Sequence, residues 1–202
     1  MTPETLLLAI GFSLLFGVVF GAIEFTKRKF GVSPEIMRRV AHIASGFLLI
    51  LDYLYLPQIV FVVLVASGGV TFYVLSRLKL LTSVNDVSRR TIGQYVLTFG
   101  YLAAYFCSLP DLSVFIPSVL IVTLADSLAG LTGTLLKSPH KTWFGSAVFF
   151  IIALALILGT GAAALLPAIA IAATLAVIEK FSPLGLDNVT VPVASALLLL
   201  AF

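Results

Sequence analysis

"LSVFIPSVLIVTLADSLAGL", residues 112–131, runs for twenty residues with one ionisable side chain, Asp126. A helix of that length rises about 30 Å, the thickness of a bilayer's hydrocarbon core, so the stretch reads as a membrane span with a carboxylate near one end. An ionisable group in such a span is costly unless it faces a cavity, a partner or an ion, which makes Asp126 a functional candidate.

The same pattern extends along the chain. Of the 202 residues, 60% are hydrophobic and 10% charged, and the mean hydropathy is +1.17. Apolar runs occur at 5–24, 40–56, 58–76, 94–108, 112–131, 145–160, 162–179 and 189–202. They predict an all-α polytopic integral membrane bundle of about eight spans, organised as a single domain over 1–202, because no polar stretch is long enough to bury a core of its own. Run 5–24 comes after no basic leader and precedes no small-residue cleavage site, so it reads as a retained span. The single Cys107 supplies neither a disulfide nor a metal motif.

Prolines at "YLP" (55–57), "SLPD" (108–111) and "ALLP" (164–167) mark tight turns. Longer polar connections lie at 25–39, 77–93, 132–144 and 179–188. All twelve lysines and arginines fall in those four patches, and none in the tight turns. With eight spans the two kinds of connection alternate across the membrane. The positive-inside bias then places the basic side in the cytoplasm and both termini outside, as a multi-pass protein of the cell membrane. The formal charge of +3 is a topology signal on this reading, and no nucleic-acid partner is expected.

Carboxylates gather on the same side: Glu24, Glu35, Asp86, Asp126, Glu179 and Asp187. A basin of mixed sign suits a polyphosphate with a divalent cation better than a simple anion pore. In "SPEIMRRVAHIASG", Ser33 caps a helix, Pro34 suits its first turn and Glu35 complements its dipole; Arg38 and His42 then share one face. Gly130 and Gly133, four and seven residues after Asp126, lie on its helical face. Alone they read as packing glycines; beside a carboxylate they clear room for a phosphate and its metal. Lys137, His140 and Lys141 come next, and then "TWFGS", where Thr142, Gly145 and Ser146 open the next helix at a positive end suited to phosphate oxygens. In "EKFSPLGLDNVTVP", Glu179 and Asp187 bracket a turn. Asp187 caps the last helix or, with Asn188, offers oxygen ligands to magnesium.

These motifs, "RRVAH" (38–42), "SRRTIG" (88–93), "DSLAGLTG" (126–133), "KTWFGS" (141–146) and "EKFSPLGLDNVTVP" (179–192), resemble the membrane-bound phytol, farnesol and dolichol kinases, relatives of a CTP-dependent diacylglycerol kinase. The last motif is similar to the phytol kinase branch. The resemblance implies transfer of a phosphoryl group from CTP or ATP to the hydroxyl of a lipid alcohol, with Mg²⁺ as cofactor and an active site facing the cytoplasm. Asp126, Glu179 and Asp187 would hold the metal. Asp126, Lys141, Asp187 and His42 would be catalytic. Arg38, Arg39, Arg89, Arg90, Gly130, Gly133, Lys137, Thr142, Gly145, Ser146 and Asn188 would bind the nucleotide. The chain departs from the family pattern at Phe144, where relatives often have Glu, and at Ala125, where many have Gly. Two other functions fit the same basin: a CDP-lipid-forming cytidylyltransferase, which would release pyrophosphate, and a small transporter, which internal repeats would favour.

Overall fold

Each of the eight apolar stretches is helical, and among the described residues there is no strand. The computed structural model describes residues 2–85, 91–109, 111–138 and 140–202. They belong to two compact units, Met1–Ser88 and Arg89–Phe202.

The first unit holds α1 (Pro3–Phe30), α2 (Pro34–Tyr55), α3 (Gln58–Arg77) and the single turn α4 (Thr82–Asn85). Thr2 caps α1, its hydroxyl oxygen accepting the Thr5 N–H at 3.2 Å, and Gly31 ends it at φ 63°, a left-handed conformation open to glycine. Ser33 and Pro34 begin α2 as their residue types predict. Helix α2 stops at Tyr55, ahead of Pro57. Ile23 of α1, Met37 and Ala41 of α2 and Val84 of α4 form the buried apolar contact that binds these helices together.

The second unit begins with α5 (Gly93–Cys107). A 3₁₀ turn (Leu112–Val114), α6 (Phe115–Leu120), a π-helical turn (Ile121–Asp126) and α7 (Ser127–Leu135) then succeed one another as one continuous run. Helices α8 (Trp143–Gly159), α9 (Leu165–Phe181) and α10 (Asp187–Leu200) complete it. Helix α9 starts two residues before Pro167, so this proline sits in a first turn, where its missing N–H costs nothing. Pro192 lies inside α10 and cannot donate to the carbonyl of Asn188, four residues earlier. That carbonyl faces α5: a Cβ on Gly100 would lie 1.9 Å from it. Only a glycine at 100 permits so close an approach of the two backbones.

Among the described residues, three helical runs are long and apolar enough to cross a membrane: Pro3–Phe30, Gln58–Arg77 and Leu112–Leu135. Trp143–Gly159 and Asp187–Leu200 are apolar but shorter. Much of the large apolar surface remains exposed, as at Leu7, Val18, Ile59 and Val63, the pattern of helices facing lipid.

Candidate active site

The second unit brings together three carboxylates that are 61 positions apart at their extremes. Asp126 comes from the π-helical turn, Glu179 from the last turns of α9, and Asp187 from the first position of α10. All three are buried, and one oxygen of each lies within 4.8 Å of the others.

Local sequence explains each placement. The π turn inserts one residue beyond the α-helical repeat, a feature that recurs at functional sites, and it fixes the direction in which Asp126 leaves the helix. Thr123 inside this turn shares a hydrogen bond with Tyr101 of α5 at 3.3 Å. Asp187 is aimed by the turn before it. Leu184 and Gly185 both take positive φ, 55° and 87°, and the Leu184 carbonyl accepts the N–H of Ile92 at 2.9 Å and the hydroxyl of Thr91 at 3.1 Å. A Cβ on Gly185 would meet Thr91 Oγ1 at 2.5 Å, so glycine is required there by both conformation and space. Asp187 Oδ1 accepts the N–H of Asn188 at 3.0 Å, and the Asn188 side-chain amide donates to the Gly93 carbonyl at 2.9 Å. The two oxygens of Asp187 thus have different surroundings. One oxygen supports the start of α10 and the other faces the cluster.

Lys141, in the loop before α8, provides the facing cation. Its Nζ lies 2.7 Å from Glu179 Oε1 and 2.5 Å from Asp187 Oδ2, and it donates to the main-chain carbonyl of Glu179. Burial draws the Lys141 pKa down, but the charges of Asp187, Glu179 and Asp126 outweigh it and hold the pKa above the ordinary lysine value. The ammonium therefore stays charged at neutral pH.

Two buried oxygens beside these acids in sequence have no hydrogen-bond partner among the described residues: Ser127 Oγ and Asn188 Oδ1. Buried oxygens are ordinarily satisfied, and a ligand or water can satisfy these. Ser127 was not among the residues expected from sequence, although it comes directly after Asp126. The hard anionic oxygens of Asp126, Glu179 and Asp187, with the amide oxygen of Asn188, are the donor type that magnesium takes.

The other expected residues have varied places. Thr142 caps α8, its Oγ1 accepting the Gly145 N–H at 2.9 Å, and its carbonyl accepts the Ser146 N–H at 3.1 Å and the Ser146 hydroxyl at 3.3 Å. Those two amides are thus engaged within the cap. A Cβ on Gly145 would come 3.1 Å from the Ala129 carbonyl, which gives this glycine a packing role between α7 and α8. Gly133 is different: a Cβ there meets nothing within 4 Å, so close packing does not require glycine. The Gly130 carbonyl accepts the Thr134 hydroxyl at 3.1 Å. Lys137 is exposed with φ 51°, in the turn that ends α7. Phe144 is also exposed and Ala125 is fully buried. Arg38, Arg39 and His42 belong to α2 of the first unit, where Arg38 and His42 are buried. Arg89 and Arg90 lie outside the described residues.

Comparison with known proteins gives a point of reference. The phytol kinase of Synechocystis sp. is 32% identical over 213 aligned positions, which cover 95% of this chain and 90% of that protein. No family model matches the chain, and no solved structure matches it.

Proposed function

The chain belongs to the phytol kinase family, and from that premise we propose that it transfers the terminal phosphoryl group of CTP or ATP to the hydroxyl of phytol or a related isoprenoid alcohol. The observation that carries this reading is the convergence of Asp126, Glu179 and Asp187 on Lys141. Phosphoryl transfer asks little covalent chemistry of a protein and much placement of charge, and buried carboxylates beside a fixed ammonium answer that need.

Asp126, Glu179 and Asp187 would hold magnesium, with the oxygen of Asn188 beside them, and the ion supplies positive charge against the phosphate oxygens. Glu179 gives the cluster the carboxylate that position 144, a Phe, does not provide. Lys141 presents a point charge to the transferring group. The prenol oxygen bonds to the terminal phosphorus while the bond from that phosphorus to its bridging oxygen breaks. The nucleoside diphosphate leaves, and the hydroxyl proton passes to a carboxylate of the cluster. The isoprenoid tail remains among apolar helices with its hydroxyl at the polar end of the unit. We take that end as cytoplasmic, because the basic patches of the sequence share its side.

The test is purified protein in detergent with CTP or ATP labelled at the terminal phosphate, offered phytol, geranylgeraniol, farnesol, a long polyprenol and diacylglycerol. Label should appear on an isoprenoid alcohol and depend on magnesium. Folded protein that labels none of them overturns the proposal.

A further inference from the structure

The main chain of Lys141 is contacted by the residue next to Glu179. Lys141 Nζ donates to the Glu179 carbonyl, and Lys180 Nζ donates to the Lys141 carbonyl. Two adjacent residues of α9 and one loop residue, 38 and 39 positions away, thus exchange side-chain-to-backbone hydrogen bonds in both directions. The Lys180 ammonium also lies 4.8 Å from the centroid of the Trp143 ring, within cation–π range. Trp143 is 73% exposed, so packing does not account for its place, whereas its ring gives Lys180 a second contact.

We infer that Lys180, seated on Trp143, is a positioning residue for the site: it pins the main chain of Lys141 so that the Lys141 side chain stays between Glu179 and Asp187. The inference rests on the kinase reading above for its functional meaning, though not for its geometry. A lysine stem has four flexible carbons, so fixing its Cα narrows the range of positions the ammonium can reach and favours the one between the two carboxylates. The Lys141 carbonyl precedes Thr142, the cap of α8, and is held there by Lys180. Lys180 touches no carboxylate of the cluster in this arrangement and acts through Lys141. Sequence alone assigns it to topology, because its contacts are with a backbone atom and a ring far away in the chain.

The experiment uses full-length protein in detergent with three variants, Lys180→Met, Lys180→Arg and Trp143→Leu. The first readout is independent of turnover: the rate at which an acetylating reagent modifies Lys141, followed by mass spectrometry against exposed Lys137. Lys141 should react at least about tenfold more slowly than Lys137 in the parent, as its burial and ion pairs require, and severalfold faster in Lys180→Met. Trp143→Leu should fall between. The second readout is the split of kinetic constants. Lys180→Met should lower kcat about tenfold with nucleotide KM within about twofold, the mark of a contact that matters in the transition state, and Lys180→Arg should recover most of the loss by keeping a donor. An unchanged Lys141 acetylation rate in folded Lys180→Met overturns the inference, as does failure of Lys180→Arg to recover activity when its fold is intact. A parent protein without kinase activity would overturn the functional reading, while the acetylation rates would still decide whether Lys180 holds Lys141.

Discussion

Glu24 and the Asp126–Glu179–Asp187 cluster are both buried acid sites, and they differ in what surrounds them. Glu24, on α1, accepts Arg28 Nε at 2.8 Å and the Thr82 hydroxyl at 2.6 Å on one oxygen, and the Ser83 N–H at 2.8 Å on the other. Its charge is answered within four residues on its own helix and by the first turn of α4, so it acts as a staple between two elements. In the second unit Glu179 and Asp187 share Lys141, Asp126 lies beside them, and oxygens of Ser127 and Asn188 stay unpaired among the described residues. A buried acid whose oxygens are met by donors holds a fold together; acids gathered beside unpaired buried oxygens are placed to receive a cation from outside.

That contrast breaks most sharply at Asp126. Asp126→Asn keeps the size and hydrogen-bonding capacity of the side chain and removes its charge. Loss of phosphoryl transfer on the order of a hundredfold, about 3 kcal/mol of transition-state stabilisation, is expected, with the unfolding midpoint nearly unchanged and partial recovery at high Mg²⁺ or Mn²⁺. Turnover at the parent rate would make Asp126 a packing residue. Lys141→Ala should cost less, roughly tenfold in kcat/KM, because it removes one phosphate charge and leaves the metal ligands; steady-state kinetics will assign the loss to KM or kcat.

The other side of the comparison is probed by Glu24→Gln, which removes the charge from the staple and turns an amide N–H toward groups that are themselves donors. Stability should fall by about 1–3 kcal/mol in a denaturation titration, with kcat of the folded fraction unchanged. A kinetic defect without a stability defect would place Glu24 among the working acids. Gly133→Ala has the smallest expected effect on the fold, within about 0.5 kcal/mol, since its Cβ meets nothing and alanine favours helix. Its nucleotide KM should rise if the glycine leaves room for phosphate, and an unaltered KM removes Gly133 from the binding residues.

Much of this was legible in the sequence, for identifiable reasons. Apolar runs located the long helices among the described residues, and Ser33 and Pro34 located the start of α2, because each signal acts within a few residues. The three carboxylates stood out as ionisable groups at the ends of apolar helices. The π turn did not: residues 114–125 are almost all apolar, so an extra residue in one turn leaves no periodic trace. Nor did the Gly100–Asn188 approach or the Lys141–Lys180 exchange, which join residues 88 and 39 positions apart through backbone atoms that composition does not report. Thr142 shows the reverse case. Its place at the head of α8 was readable, but the structure spends the Gly145 and Ser146 amides on the cap itself.

The π turn at Ile121–Asp126 also bears on how such a protein can change by descent. Losing a single codon between 121 and 125 would let the run revert to a regular α-helix, and because a π turn takes up its extra residue within one wide turn, the segments on either side would keep nearly their relative rotation. The change would fall on the turn itself: Asp126 would keep its neighbours in the gene while the backbone that aims its carboxylate was rebuilt. A one-residue gap at this point in an alignment is therefore a change to the site and not to the span that carries it.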